Sequence, residues 1–314
     1  MKVLVTGGTS GVGYECTKAL RRNGHKVTIT GRDVQRGQQV SKETKSTFLR
    51  LDLASQESIR SFVKSLQENS ESGFDAIICN AGIQFATNKT KNEDGFEMTF
   101  AVNHLGHFLL IHQLIESNLI NRPSRIVVVS SGTHDPEQKT GVEPPRYISA
   151  EQVSKGDFSK PTPLGDMKSG HCAYSTSKLC NILFTKELNR IIRQQNIDDI
   201  TVNAFDPGLT PGTNLTRNGA FIISVLFKTC PVWLLRSMFS NVHHIHESGT
   251  SLANLATKEE YNNQSGNYYE HLNLKPFIAE SSVASKSEEF AKDLWDFSLS
   301  AVHIEDTENA FKFQ

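Results

Sequence analysis

The chain has 314 residues with a formal net charge of -1 at pH 7, enough length to bury a large core and no basic field to hold a nucleic-acid backbone. Its five cysteines, Cys16, Cys79, Cys172, Cys180 and Cys230, show no C-x-x-C spacing, which argues against a disulfide framework or a zinc site and fits a reducing compartment. The expected partner is a small molecule, with no nucleic acid.

Met1 leads directly into the apolar run VLVT (3–6) with no room for a leader's charged and apolar regions, so the expected location is cytoplasmic. The glycine-rich TGGTSGVG (6–13) follows and opens a helix over about 11–23. Then come KVTIT (26–30), a short helix, TFLRLD (47–52), a helix over about 55–69, and FDAIICN (74–80). A long helix over about 94–120 precedes RIVVVS (125–130), and a helix over about 173–195 precedes ITVNAF (200–205). This alternation predicts an α/β fold: a doubly wound parallel sheet of the Rossmann type with helices on both faces. One domain over 1–314 is expected, with two insertions near the active site. Residues 132–172 are polar, rich in Pro and Gly and too long for an ordinary connection. Residues 209–247, after the Pro207-Gly208 turn, form a helical, partly apolar excursion suited to a substrate lid. Ligands of such a sheet bind beyond the C-terminal strand ends.

The spacing of Gly7, Gly11 and Gly13 departs from G-x-G-x-x-G. It still offers a tight turn, close backbone approach and the free N–H groups of a helix N-terminus to a pyrophosphate. After the second strand the chain reads Thr30-Gly31-Arg32-Asp33. Arg32 comes first, where a cation meets a 2′-phosphate, and Asp33 lies inside the following turn, which favours NADP(H); Asp33 as the N-cap of the next helix is a competing reading compatible with this. In HCAYSTSKLCNIL (171–183), Tyr174 and Lys178 share a helix face at i, i+4, a spacing that surface pairs also have.

Taken together, TGGTSGVG, LDLAS (51–55), CNAGI (79–83), NHLGHFLL (103–110), VVVSS (127–131), YSTSK (174–178) and DPG (206–208) resemble, in order, the motifs of the short-chain dehydrogenase/reductase family. Within it, LDLASQESIRSFV, NHLGHFLL and SKLCNILFTKEL are similar to the branch of light-dependent protochlorophyllide oxidoreductases and retinol dehydrogenase-like enzymes. The long insertion before Tyr174 resembles the first group. One departure is Pro207-Gly208-Leu209, where the photoenzyme has a cysteine implicated in catalysis; Cys180 matches another cysteine of that group but reads as packing.

The resemblance implies an NADP(H) site built from Gly7, Thr9, Ser10, Gly11, Val12, Gly13, Arg32, Asp52, Leu53, Asn80, Ala81, Gly82, Tyr174, Lys178, Pro207 and Gly208. It implies a catalytic set of Asn103, Ser131, Tyr174 and Lys178. Tyr174 is the expected acid, with Lys178 lowering its pKa and binding the ribose. Ser131, in preference to Ser130, donates to the substrate oxygen, and Asn103 positions a water that relays protons toward Lys178. The separation of Ser131 from Tyr174 is far longer than the family's usual spacing. The implied activity is NADPH-dependent hydride transfer to an apolar carbonyl substrate, or the reverse alcohol oxidation. The alternatives are C=C reduction in a tetrapyrrole and an NADP(H)-binding regulator without turnover. A homodimer is one assembly the family implies.

No uncharged apolar stretch is long enough to span a bilayer. The nearest, GAFIISVLFKTCPVWLLRSMF (219–239), is interrupted by Lys228, Pro231 and Arg236 and reads as two short helices closing a pocket, with peripheral membrane contact as the alternative. His104, His107, His112, His171, His243, His244 and His246 read as surface or lid residues, and no metal is expected.

Overall fold

Runs of β-branched and apolar residues bounded by Gly, Asn and Asp form the strands of this computed structural model, which describes residues 1–69, 71–85, 87, 89–138, 140–158, 167–210, 242–272, 275–305 and 311. In chain order these are β1 (Lys2–Thr6), β2 (Lys26–Gly31), β3 (Thr47–Arg50), β4 (Phe74–Cys79), β5 (Ile120–Val129), β6 (Ile200–Asp206), β7 (Tyr268–Leu272) and β8 (Lys275–Ile278). They make one sheet in the order β3-β2-β1-β4-β5-β6-β7-β8. All pairs are parallel except β7 with β8. The expected doubly wound sheet is therefore present, with an added antiparallel edge.

The helices are α1 (Gly11–Arg22), α2 (Val34–Thr44), α3 (Gln56–Glu68), α4 (Met98–Phe100), α5 (Gly106–Glu116), α6 (Ala150–Lys155), α7 (Met167–Gln194), α8 (Ile245–Thr257) and α9 (Glu288–Ala301). Side chains alternate across each strand, so the sheet separates two apolar cores. Leu4, Ile77, Ile126 and Val202 face Phe108, Leu183 and Trp295 on one side. Val3, Val5, Ile78 and Val127 face Cys16, Leu20, Leu252 and Leu255 on the other.

The structure differs from the sequence reading in three places. The long helix expected over 94–120 starts at Met98 and is interrupted by one π-helical turn, Ala101–Leu105, between α4 and α5. The segment 132–172 is not all loop. It holds a 3₁₀ turn (Gly132–His134), α6 and the start of α7, and it is tied to α9 because Asp293 accepts from the Tyr147 hydroxyl at 2.8 Å and from Ala150 N at 2.7 Å. Beyond residue 242, α8, β7, β8 and α9 complete the sheet and both cores, and none of them was anticipated.

Of the excursion 209–247, residues 211–241 lie outside the described residues. Its two ends are neighbours: Leu209 bridges Val242, and His243 N donates to Leu209 O at 3.0 Å. Among the described residues no helix is long and apolar enough to cross a membrane.

Candidate active site

The C-terminal ends of β1, β2, β4, β5 and β6 open on one edge of the sheet, and the residues singled out in the sequence follow these ends. After β1, Gly7 adopts φ +65° and its Cβ would stand 2.9 Å from Ala81 Cα. A Cβ on Gly13 would stand 2.4 Å from Asn80 Nδ2. The glycines therefore let the turn pack directly on the Asn80–Gly82 segment after β4. Asn80 Nδ2 locks the two together by donating to Thr6 O at 2.9 Å and to Gly7 O at 3.3 Å.

α1 has no side-chain cap at Ser10 and no acid in its first turn. By contrast α2, α3, α6 and α9 are capped by Asp33, Ser55, Ser149 and Ser287. The N–H groups and positive dipole end of α1 are thus left for an anionic group at the turn. Val12 and Gly13 are buried beneath it, while Thr9, Ser10 and Gly11 stay partly exposed. A nicotinamide dinucleotide fits this cradle.

At the far end of the cradle Arg32 is exposed, and Asp33 Oδ1 accepts from Arg36 N at 2.9 Å. Arg36 reaches back across the turn, its Nε donating to Thr9 O at 3.3 Å; sequence reading did not single it out. Asp52 is partly exposed and accepts from Ala54 N at 3.0 Å, beside buried Leu53. After β6, Gly208 takes φ +72° and its N donates to Asp206 Oδ1 at 2.9 Å. Ser248 Oγ holds the preceding carbonyl of Pro207 at 2.7 Å.

Asn103, Ser131, Tyr174 and Lys178 meet where β5, the π turn and α7 converge. Lys178 is 3% exposed; its Nζ donates to Val129 O at 3.0 Å and stands 5.5 Å from the Tyr174 ring centroid. The Ser131 hydroxyl lies near enough to the Tyr174 phenol to lower its pKa, and its Oγ accepts from Thr133 N at 3.3 Å. Ser130 is occupied elsewhere, its Oγ donating to Lys178 O at 2.8 Å. Gly82 floors the space between Asn103 and Lys178, for a Cβ there would lie 3.4 Å from Asn103 Oδ1 and 3.5 Å from Lys178 Nζ.

Electrostatics differ from the sequence expectation at the phenol. Burial pushes the Tyr174 pKa up, the Asp206 carboxylate adds to this, and the Ser131 hydroxyl offsets part of it. No lowering by Lys178 offsets that burial. Lys178 itself is brought down to about 8 by burial, against the opposing pull of Asp206.

Asn103 also differs in detail. Its side chain is fully committed: Oδ1 accepts from Ile83 N at 2.8 Å, and Nδ2 donates to Ile83 O at 3.0 Å and to Ser177 Oγ at 2.9 Å. It cross-links the segment after β4 to α7, one residue before Lys178.

With this geometry established, comparison with known proteins is direct. Residues 1–142 match the short chain dehydrogenase family. Over 96% of its length the chain is 33% identical to retinol dehydrogenase 13 of Homo sapiens, covering 85% of that protein. The chain belongs to the short-chain dehydrogenase/reductase family. It is also 34% identical to retinol dehydrogenase 14 of Mus musculus, over 96% of this chain and 86% of that one. To the chloroplastic protochlorophyllide reductase of Daucus carota it is 30% identical, over 96% and 78%. Among solved structures, an uncharacterised protein of Mycobacterium Paratuberculosis aligns with a TM-score of 0.69 at 25% identity, over 96% of this chain and 93% of that one. This is thus an oxidoreductase family that binds a nicotinamide cofactor, in its retinol dehydrogenase and protochlorophyllide reductase branch.

Within this short-chain dehydrogenase/reductase, several histidines read as surface residues are buried. His104 packs among Phe100, Phe108 and Phe184, and burial brings its pKa down to about 3. His107 is 1% exposed and His112 7%. His171 is half-buried, while His244 and His246 are exposed. His243 is also buried. It lies beside His271 of β7, ring centroids 4.4 Å apart, and one ligand atom each from His243, Glu247 and His271 lies within 4.8 Å of the others. The sequence could not group these three, because His271 comes from a strand it did not reveal.

Proposed function

We propose that this protein is an NADP(H)-dependent oxidoreductase that reduces an apolar carbonyl compound, or oxidises the corresponding alcohol in the reverse direction. The observation that carries the reading is the convergence of Ser131, Tyr174 and Lys178 at the end of β5, where Lys178 Nζ donates to Val129 O at 3.0 Å and stands 5.5 Å from the Tyr174 ring centroid. The bound nicotinamide supplies or accepts the hydride. Tyr174 gives its proton to the oxygen that becomes negative. A phenol pushed up by burial stays protonated at neutral pH, and this state suits reduction. Ser131 donates to the same oxygen and holds it beside the phenol. Lys178 uses one of its three N–H donors on Val129 O; the others serve the ribose and a water on the relay. Asn103 holds that water through its main-chain carbonyl, since its side chain is committed.

The cofactor preference rests on the turn after β2. Asp33 is engaged as a helix cap, away from the role of accepting from a ribose 2′-hydroxyl, while Arg32 is exposed beside it. Substrate polarity rests on the composition of 219–239, which lies outside the described residues; it suits a cover over an apolar pocket and contact with a lipid surface.

A screen of NADPH oxidation over retinoid, steroid, quinone and aliphatic aldehyde substrates tests the reading. Turnover of long-chain or polycyclic carbonyls is expected, with Tyr174→Phe lowering kcat by at least about 10²-fold while NADPH affinity changes little. No NADPH oxidation with any of them, or Tyr174→Phe retaining more than about a tenth of kcat, would overturn it. Light-dependent conversion of protochlorophyllide would replace carbonyl reduction with reduction of a C=C bond.

A further inference from the structure

His107, one helical turn after Asn103, has no part in the site described so far. It is 1% exposed, yet both ring nitrogens are engaged: Nδ1 lies 3.1 Å from Asn103 O, and Nε2 lies 2.9 Å from Thr6 Oγ1. A carbonyl oxygen only accepts, so Nδ1 must carry the proton. The neutral ring then has a bare Nε2, which only accepts, and the Thr6 hydroxyl must donate to it. The lone pairs of that hydroxyl in turn accept from Asn80 N at 2.9 Å and Ala81 N at 3.0 Å. A one-way chain of donors results: Asn80 and Ala81 to Thr6, Thr6 to His107, His107 to Asn103. It joins the end of β1, the turn after β4 and the π turn.

We infer that His107 is a positioning residue which, as the neutral Nδ1–H imidazole, fixes the Asn103 carbonyl with its remaining lone pair toward Lys178. The inference rests on the proton relay proposed above. The Asn103 side chain cannot fill that role, being bonded to Ile83 and Ser177. Gly82 adds no Cβ between Asn103 and Lys178, where one would stand 3.4 Å from Asn103 Oδ1 and 3.5 Å from Lys178 Nζ.

Charge supports the neutral state. Burial brings the His107 pKa down to about 4, and Lys178 adds to this, while the bond to Asn103 O opposes it. The groups facing the ring are His104 from the π turn that precedes its helix and Lys178 from α7; neither is an acid that would hold a proton on Nε2. Protonation would also force the Thr6 hydroxyl to turn to Ile78 O, its second acceptor at a longer 3.3 Å.

Two substitutions separate the two bonds of the ring. His107→Asn keeps a donor near the Nδ1 position and loses the link to Thr6. His107→Gln reaches Thr6 and loses the donor to Asn103. His107→Gln should lower kcat about tenfold with little change in KM and a larger solvent deuterium isotope effect. His107→Asn should recover most of the rate and the wild-type isotope effect. A purely structural role would lower the active fraction in both variants and leave the isotope effect alone. In the wild-type protein labelled with ¹⁵N-histidine, the His107 ring should show the Nδ1–H tautomer unchanged between about pH 5 and 8. That measurement needs no turnover, so it separates failure of this inference from failure of the proposed activity. An Nε2–H tautomer, a titration in that range, or equal kinetics for both variants would overturn the inference.

Discussion

Arg32 and Asp33 are adjacent and both exposed, but the Asp33 carboxylate caps α2, its Oδ1 accepting from Arg36 N at 2.9 Å. Arg32→Ala should therefore weaken NADPH by roughly tenfold or more, the worth of a charge-assisted hydrogen bond, and leave NADH nearly unchanged. Titration of both cofactors checks this, and an equal loss for each would remove Arg32 from phosphate recognition. Lys178 gives a second expectation. Its pKa of about 8 in the cofactor-free protein is below the ordinary lysine value of 10.5, so between these limits the unfolded chain binds more protons and stability rises with pH. Below about 8 the full cost of burying the ammonium is present. Above about 10 the buried Tyr174, which keeps its proton longer than an unfolded tyrosine, works in the opposite sense. A Lys178→Met protein should lack the rise between pH 8 and 10, as read from thermal melts across that range. The positions of Tyr174, Lys178 and Ser131 were legible in the sequence because their spacing is local or motif-bound. The raised phenol and the buried His107 were not, since both depend on what the sheet brings over them.

Elements built from regular apolar runs were readable, and those built from exceptions were not. β7 carries Glu270 and His271 in its interior, and β8, the edge strand, contains Pro276, a residue tolerated at edges. The π turn looks like helix in sequence, because it continues the helical run on both sides and only the hydrogen-bond pattern differs. α8 was missed because small and polar residues break its apolar stripe, yet those small residues let it sit close to α1. A Cβ at Gly249 would lie 2.5 Å from Glu15 Cβ and 2.7 Å from Cys16 N, and backbone cannot yield as a flexible side chain does. Gly249→Val should thus push α8 off α1 and cost about 1–3 kcal/mol of stability, seen as a lower midpoint in chemical unfolding. Cofactor affinity should fall with it, because α1 carries the uncapped N-terminus at the glycine turn. An unchanged midpoint would mean that the two helices tolerate separation.

At the scale of the molecule, the strand order turns back between β1 and β4, and the cofactor cradle opens at that crevice, as expected of open α/β sheets. This much follows from the order of motifs along the chain. Substrate identity does not, because one fold hosts many activities and fold-level likeness does not specify the substrate. The meeting of Leu209 with Val242 bears on how such identity changes. Because Leu209 and Val242 lie side by side, a segment of different length can join them without re-threading the sheet. Grafting the corresponding segment of a retinol dehydrogenase in its place should transfer substrate preference while NADPH affinity stays the same. Loss of both together would show that the segment is welded to the scaffold. Inheritance can then exchange the stretch between these two neighbouring ends and leave Ser131, Tyr174 and Lys178 untouched.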